Sequence, residues 1–285
     1  MVKIPRLKAQ EAEKLSFFYG LEWKMKEKLF IFIFLIIFLL ALSNSNILTF
    51  SVFAQDTTSP KSVPRVVLVE LFVQGNCPSC PTAEFCLEDL AWEYGTTKVA
   101  LVEEHLWGDG YDTLETNARY DWYVGINSNQ KGTPDVFING LTRRLQGLAC
   151  DCVEENYTCY KEAIDKELTH PPLVELSASK TITKSNYIIE STVKNISDTF
   201  LKDLAVCGIV SKEKDESGLY CYAQDILPFK DMPLLLPGDT FNFKFTSEIL
   251  LIQESEIDGE EGILHVVIFV QNTITKEILQ ALYIE

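Results

Sequence analysis

The sequence predicts an α/β domain followed by an all-β sandwich, and three observations carry that expectation. A Val-rich run, Val66 to Val73, passes through a short turn into Cys77-Pro-Ser-Cys80 and then an amphipathic stretch with Ala83, Cys86, Leu87, Leu90 and Ala91 at helical spacing. Strand-like and helix-like segments then alternate as far as Leu168. After His170-Pro171-Pro172 the texture changes to short strands separated by turn residues.

The amino-terminal segment, residues 1–54, reads as an export signal. Lys24, Lys26 and Lys28 precede the unbroken apolar run Leu29–Leu42, about 21 Å long as a helix and short of a ~30 Å hydrocarbon core. Val52-Phe-Ala54 before Gln55 has the small-residue pattern of a signal-peptidase site. Retained instead as an anchor, the segment would add Ile47–Ala54 to the span and attach the chain to a membrane. Either way the lysines stay cytoplasmic and everything beyond Gln55 is exported, to the periplasm, the cell envelope or the outside. Translation is expected to start at Met25, which opens a signal of ordinary length. Residues 55–64, polar with two prolines, read as a linker.

Processing would leave 18 basic and 37 acidic residues of the 25 and 41 in the full chain. A net charge of about −19 repels phosphate backbones and anionic lipid, which excludes nucleic-acid binding. Eight cysteines in an exported chain predict disulfides. Roughly 230 remaining residues suffice for two cores.

In the first domain, residues 65–169, the strand Val66–Val73 leads to a helix over Cys77–Tyr94 and a second strand over Lys98–His105. The loop Trp107-Gly-Asp-Gly-Tyr111 precedes a helix from Leu114 to Val124. Asn139-Gly140 joins two short strands, a strong hairpin signal. A helix over Glu154–Leu168 completes the order β-α-β-α-β-β-α, one mixed sheet covered by helices. In residues 173–285, strands are expected near Leu173–Ser179, Tyr187–Lys194, Leu204–Val210, Gly218–Ala223, Thr240–Thr246, Ile263–Gln271 and Glu277–Tyr283. About seven strands in ~115 residues suit a sandwich of immunoglobulin-like type.

The cysteine pair sits where a buried strand hands over to a helix N-terminus, where backbone N–H groups and the helix dipole favour a thiolate. Cys77 is the candidate nucleophile, and Cys80, one turn on and more buried, resolves the mixed disulfide. The amides of Ser79 and Cys80 are the expected donors to the Cys77 thiolate, because Pro78 has none. Glu70 interrupts an apolar strand and is a candidate acceptor for the Cys80 proton, or else a paired structural acid. His105, ending the second strand near the same sheet end, is a candidate active-face residue or a structural hydrogen-bonding one. Arg119 and Tyr120 are expected to pack and pair. Two duller readings of the pair compete: a static Cys77–Cys80 staple, and half of a zinc site completed by Cys150 and Cys152 or Cys159. The redox reading needs neither metal nor cofactor. Cys207 and Cys221, on consecutive strands, predict a cross-strand bridge; Cys86, Cys150, Cys152 and Cys159 allow three pairings, with Cys86 alternatively a buried thiol.

Several of these segments together resemble a known family. Cys77-Pro-Ser-Cys80 at the first helix and Thr133-Pro134 before a later strand resemble a thioredoxin fold. More narrowly, Val69-Glu-Leu-Phe72, Glu104-His-Leu-Trp107 with Asp112, Asn117-Ala-Arg-Tyr120, Gly132-Thr-Pro134 with Ile138-Asn-Gly140, and the ending Phe269–Ala281 resemble exported bacterial proteins related to a twenty-eight-kilodalton outer-membrane protein. The likeness spans most of residues 65–285 and implies a thioredoxin-like domain followed by a β-sandwich. It also implies a cis bond at Pro134, with the Thr133 backbone beside the cysteines to pair with an extended substrate. Asn76 stands where thioredoxins carry a Trp. The expected activity is thiol–disulfide exchange on protein substrates. The alternative is a non-enzymatic envelope or binding protein that keeps the disulfide for stability.

Overall fold

The computed structural model describes residues 63–148, 153–182, 186–213, 221–248 and 264–284; residues 1–62, where the export signal and most of the linker are expected, together with Cys150 and Cys152, lie outside them. Strand β1 (Val67–Val73) leads to helix α1 (Cys80–Tyr94), strand β2 (Val99–His105), helix α2 (Leu114–Val124), strands β3 (Asp135–Ile138) and β4 (Arg143–Gln146), and helix α3 (Val153–Leu168). Strands β5 (Val174–Ile182), β6 (Asn186–Asn195), β7 (Leu204–Glu213), β8 (Cys221–Asp231), β9 (Thr240–Glu248), β10 (Leu264–Asn272) and β11 (Ile278–Ile284) follow. The protein is therefore mostly β, and the β-α-β-α-β-β-α order of its first half is the one the sequence predicts. Helix α1 begins at Cys80, three residues later than expected, because Cys77 belongs to the preceding turn, where its N–H donates to Gln74 O at 2.9 Å.

β1 lies at the centre of the first half, parallel to β2 and antiparallel to β3. Every residue of β1 is buried, so its alternating side chains feed two different cores. Val67, Val69, Leu71 and Val73 face α1 and α3, packing with Cys80, Ala83, Cys86, Leu87, Leu90, Tyr160 and Ile164. Truncating a residue such as Leu87 there would cost about 2–5 kcal/mol. Leu68 and Phe72 point the other way, towards the second half and α2 respectively.

The second half does not form a sheet pair apart from the first. Eight strands run in the order β11-β10-β7-β8-β2-β1-β3-β4, and β5-β6-β9 form a separate sheet. The seam is the parallel pairing of β2 with β8 at Glu103 and Tyr222. One face of β7, β10 and β11 packs against the small sheet through Val206, Val266 and Ile268 facing Ile189, Val193 and Phe245. Their other face, with Cys207, Ile209, Val267 and Phe269, shares a core with Leu68, Ala100 and Val102 of β1 and β2. A single sheet can meet itself in this way only by coiling over at the seam.

The expected Cys207–Cys221 bridge is absent. Cys207 is a free, buried thiol whose Sγ donates to Leu227 O at 3.5 Å, and the register sets Cys221 opposite Glu213 instead. Consecutive strands give a bridge only between residues at one level. Cys86 is also free and buried, its Sγ donating to Val153 O at 3.4 Å, so it belongs to none of the expected pairings. Cys159 is disulfide-bonded; the pairings expected of Cys150 and Cys152 fall outside the described residues.

Candidate active site

Cys77 and Cys80 are disulfide-bonded, with Cα atoms 5.4 Å apart. Cys80 is 1% exposed and packs under α1, whereas Cys77 is partly exposed at the turn. The N-cap of α1 is Ser79, and its side chain caps nothing. A helix start leaves backbone N–H groups without acceptors. Here the Cys77 sulfur supplies one, accepting the Cys80 N–H at 3.1 Å, with the Ser79 hydroxyl 3.7 Å away. Of the two amides expected to face the sulfur, Cys80 provides the recorded bond. The same contact would hold a thiolate once the disulfide is reduced.

Three chain segments converge on this end of the sheet. The register sets His105 beside Val73 at the ends of β2 and β1, and Leu106 N–H donates to Val73 O at 3.0 Å. β3 enters antiparallel, with Asp135 opposite Phe72, so Pro134 precedes it at the level where β1 runs out. The Thr133–Pro134 bond is cis, as the family resemblance implies.

The loop between β2 and α2 ties these segments together. Asp109 Oδ2 accepts the Gly75 N–H at 3.2 Å, two residues before Cys77. On its other flank Trp107 packs edge-on against Tyr120 at 5.7 Å. Tyr120 Oη in turn accepts the Gly132 N–H at 3.0 Å and donates to Asp135 Oδ2 at 2.8 Å, which fastens the approach to the cis-proline. Thr113 and Thr116 cap α2 reciprocally, and the Thr116 hydroxyl also donates to His105 O at 2.8 Å.

His105 is 6% exposed and stands between two carboxylates. Nδ1 lies 2.5 Å from Asp109 Oδ2, and Nε2 lies 2.6 Å from Glu103 Oε1, the latter a charge contact outside hydrogen-bond alignment. Burial disfavours the imidazolium, yet the two acids outweigh it and raise the ring's proton affinity above the ordinary value of 6.5. The rings of Tyr111 and Tyr222 pack at 5.2 and 6.1 Å, the latter supplied by β8. Glu103 and His105 share the β2 face of Val99 and Leu101, which is the face covered by α1.

Glu70 is not placed to take the Cys80 proton. It lies between Leu68 and Phe72 on the opposite face of β1 from Cys80. There it pairs with Arg119 Nε and accepts the Tyr123 hydroxyl at 2.7 Å. Arg119 Nη2 donates to Tyr123 Oη at 2.7 Å, and Gln271 of β10 donates to the same oxygen at 2.8 Å. Arg119 is thus the paired structural residue the sequence implies. Glu104 completes the group, 3.8 Å from Arg119 Nε; burial first, then the Glu70 charge, pushes its proton affinity well above the carboxylate range.

Of the residues the sequence singles out, the cysteine turn, His105 and Pro134 lie at one end of the sheet, and Glu103, Asp109 and Tyr222 surround His105 there. Asp109 was findable as an acid four residues after His105 between two glycines. Tyr222 was not, since it arrives through long-range strand pairing.

No protein-family model matches the chain, and no curated protein matches it. Among solved structures it is similar to HBP35 of Porphyromonas gingivalis, with 18% identity, a TM-score of 0.54, and coverage of 78% of this chain and 76% of that one. It is also similar to protein AGR_C_4864 from Agrobacterium tumefaciens, with 17% identity, a TM-score of 0.45, and coverage of 77% and 94%. A domain of the outer membrane lipoprotein Omp28 from Porphyromonas gingivalis aligns over 40% of this chain and 88% of its own, with 11% identity and a TM-score of 0.31. The likeness to HBP35 shows a shared fold. Among the described residues no helix is long and apolar enough to cross a membrane.

Proposed function

We propose that this protein is an exported thiol–disulfide oxidoreductase: a thioredoxin-like domain over residues 65–169, followed by an immunoglobulin-like sandwich over 173–285 whose larger sheet continues into that of the first domain. In this reading it is akin to the proteins related to the twenty-eight-kilodalton outer-membrane protein. The observation that carries it is the Cys77 sulfur, partly exposed and accepting the Cys80 amide where α1 begins. In this reading Thr133, which precedes β3 at the level where β1 ends, pairs its backbone with an extended client.

In the reducing direction the Cys77 thiolate attacks a client disulfide, forming a Cys77–client disulfide and expelling one client thiolate, which takes a proton from solvent. Cys80 then loses its proton and attacks the Cys77 sulfur, expelling the second client thiolate and closing the 77–80 disulfide. The client gains two electrons and the dithiol loses two. Client oxidation is the reverse. No metal or cofactor enters either step.

Insulin reduction and oxidation of reduced ribonuclease test the proposal, comparing the wild type with Cys77→Ala. Loss of activity by at least a hundredfold is expected, and Cys80→Ser should accumulate client mixed disulfides at Cys77. Equal, background activity of wild type and Cys77→Ala would instead leave a non-enzymatic envelope protein with a stabilising disulfide.

A further inference from the structure

We infer that His105 is the positioning residue for Cys77: clamped between Glu103 and Asp109, it holds through Asp109 the Gly75 amide and hence the turn that carries the sulfur. The inference rests on the proposed exchange chemistry and adds a proton switch to it.

Both ring nitrogens face a carboxylate, at 2.5 and 2.6 Å. Only the imidazolium carries positive charge towards both acids, bonding Asp109 through Nδ1 and making a charge contact with Glu103 through Nε2. A neutral ring turns one lone pair towards an acid in a space with almost no water to intervene, and the arrangement must open. Asp109 is the moving link, because its Oδ2 serves the ring and Gly75 N–H together, at 2.5 and 3.2 Å. Its Oδ1 accepts the Tyr111 N–H at 3.0 Å, which orients the carboxylate. Cys77 N–H bonds to Gln74 O, so Gly75 lies inside the turn that places the sulfur. The groups facing the ring are Glu103 on its own strand, Asp109 and Tyr111 on the following loop, and Tyr222 on β8; Val73 on β1 is apolar. The second half of the chain thus closes the redox end of the first, with Tyr222 against both Tyr111 and His105.

The test is the rate of iodoacetamide alkylation at Cys77 in the reduced full chain between pH 5 and 9, read by peptide mass spectrometry. Two ionisations are expected in the wild type, one of the thiol and one of His105. His105→Gln should keep a single ionisation and react about tenfold more slowly at pH 7, which corresponds to one unit in thiol acidity. Asp109→Asn should slow the reaction similarly. The His105 ring protons, followed by NMR, should titrate above 6.5 in the wild type and lower in Asp109→Asn. This measurement decides the matter even where His105→Gln fails to fold. A His105→Gln profile within twofold of wild type, or a ring titrating at or below 6.5, overturns the inference and leaves the exchange chemistry standing. A wild-type Cys77 inert throughout overturns both.

Discussion

Two buried acid networks occupy opposite faces of the same sheet, and only one neighbours the disulfide. Glu70 and Glu104 belong to a closed group with Arg119, Tyr123 and Gln271 that joins the two halves of the chain. Glu103 and His105, on the α1 face, connect through Asp109 to the cysteine turn. Glu103 and Glu104 are neighbours in sequence and both almost fully buried. Strand alternation alone sends one towards the cysteine turn and the other to the joint. A carboxylate near a redox pair in sequence is therefore a poor guide to the proton acceptor unless the strand's facing is known.

The largest effect that would sharpen this contrast is on stability. Arg119→Ala strands two buried carboxyls and should cost about 3–5 kcal/mol by urea unfolding. A loss within experimental error would mean the joint carries no charge pairing. Glu70→Gln keeps the shape and should cost about 1–3 kcal/mol, while Cys77 and Cys80 exchange at wild-type rates. A tenfold slower resolution by Cys80 in that variant would return Glu70 to the redox role and erase the contrast.

Smaller still are the pH slopes, and both networks push the same way. His105 holds its proton more tightly when folded, so its contribution is complete below 6.5 and fades as pH rises through its raised value. Glu104 also binds its proton more tightly in the folded state, so rising pH beyond the ordinary 4.5 costs stability as that proton becomes harder to keep. Unfolding curves from pH 4 to 9 should therefore flatten in both Glu104→Gln and His105→Gln, but only the second should alter alkylation. Least of all should the free thiols respond. Burial pushes the Cys207 thiol up to about 12, so iodoacetamide at pH 8 should label Cys77 in the reduced native protein and leave Cys207 untouched until urea is added.

What could be read from the sequence was local. The β-α-β-α-β-β-α order follows from periodicity and turn residues, and the Cys-Pro-Ser-Cys turn from its strand-to-helix setting. Glu70 misled because an acid in an all-buried strand gives no sign of which face it uses; both neighbours are apolar either way. Cys207 and Cys221 misled because strand order does not give register. The β2–β8 seam brings residues more than a hundred places apart into one sheet, and no short-range pattern marks it.

The first strand of the described chain depends on its last. Val66 N–H is accepted by Gln280, 214 residues away, and Gln280 donates back to Pro64 O at 2.8 Å, while Arg65 donates to Ile278 O at 3.0 Å. A ribosome delivers these partners 214 residues apart. The early strand keeps those groups unmatched until the segment around Gln280 has been made, so closure of β1 against β11 is a long-range step. A nascent polypeptide interrupted before Gln280 would lack the latch for β1.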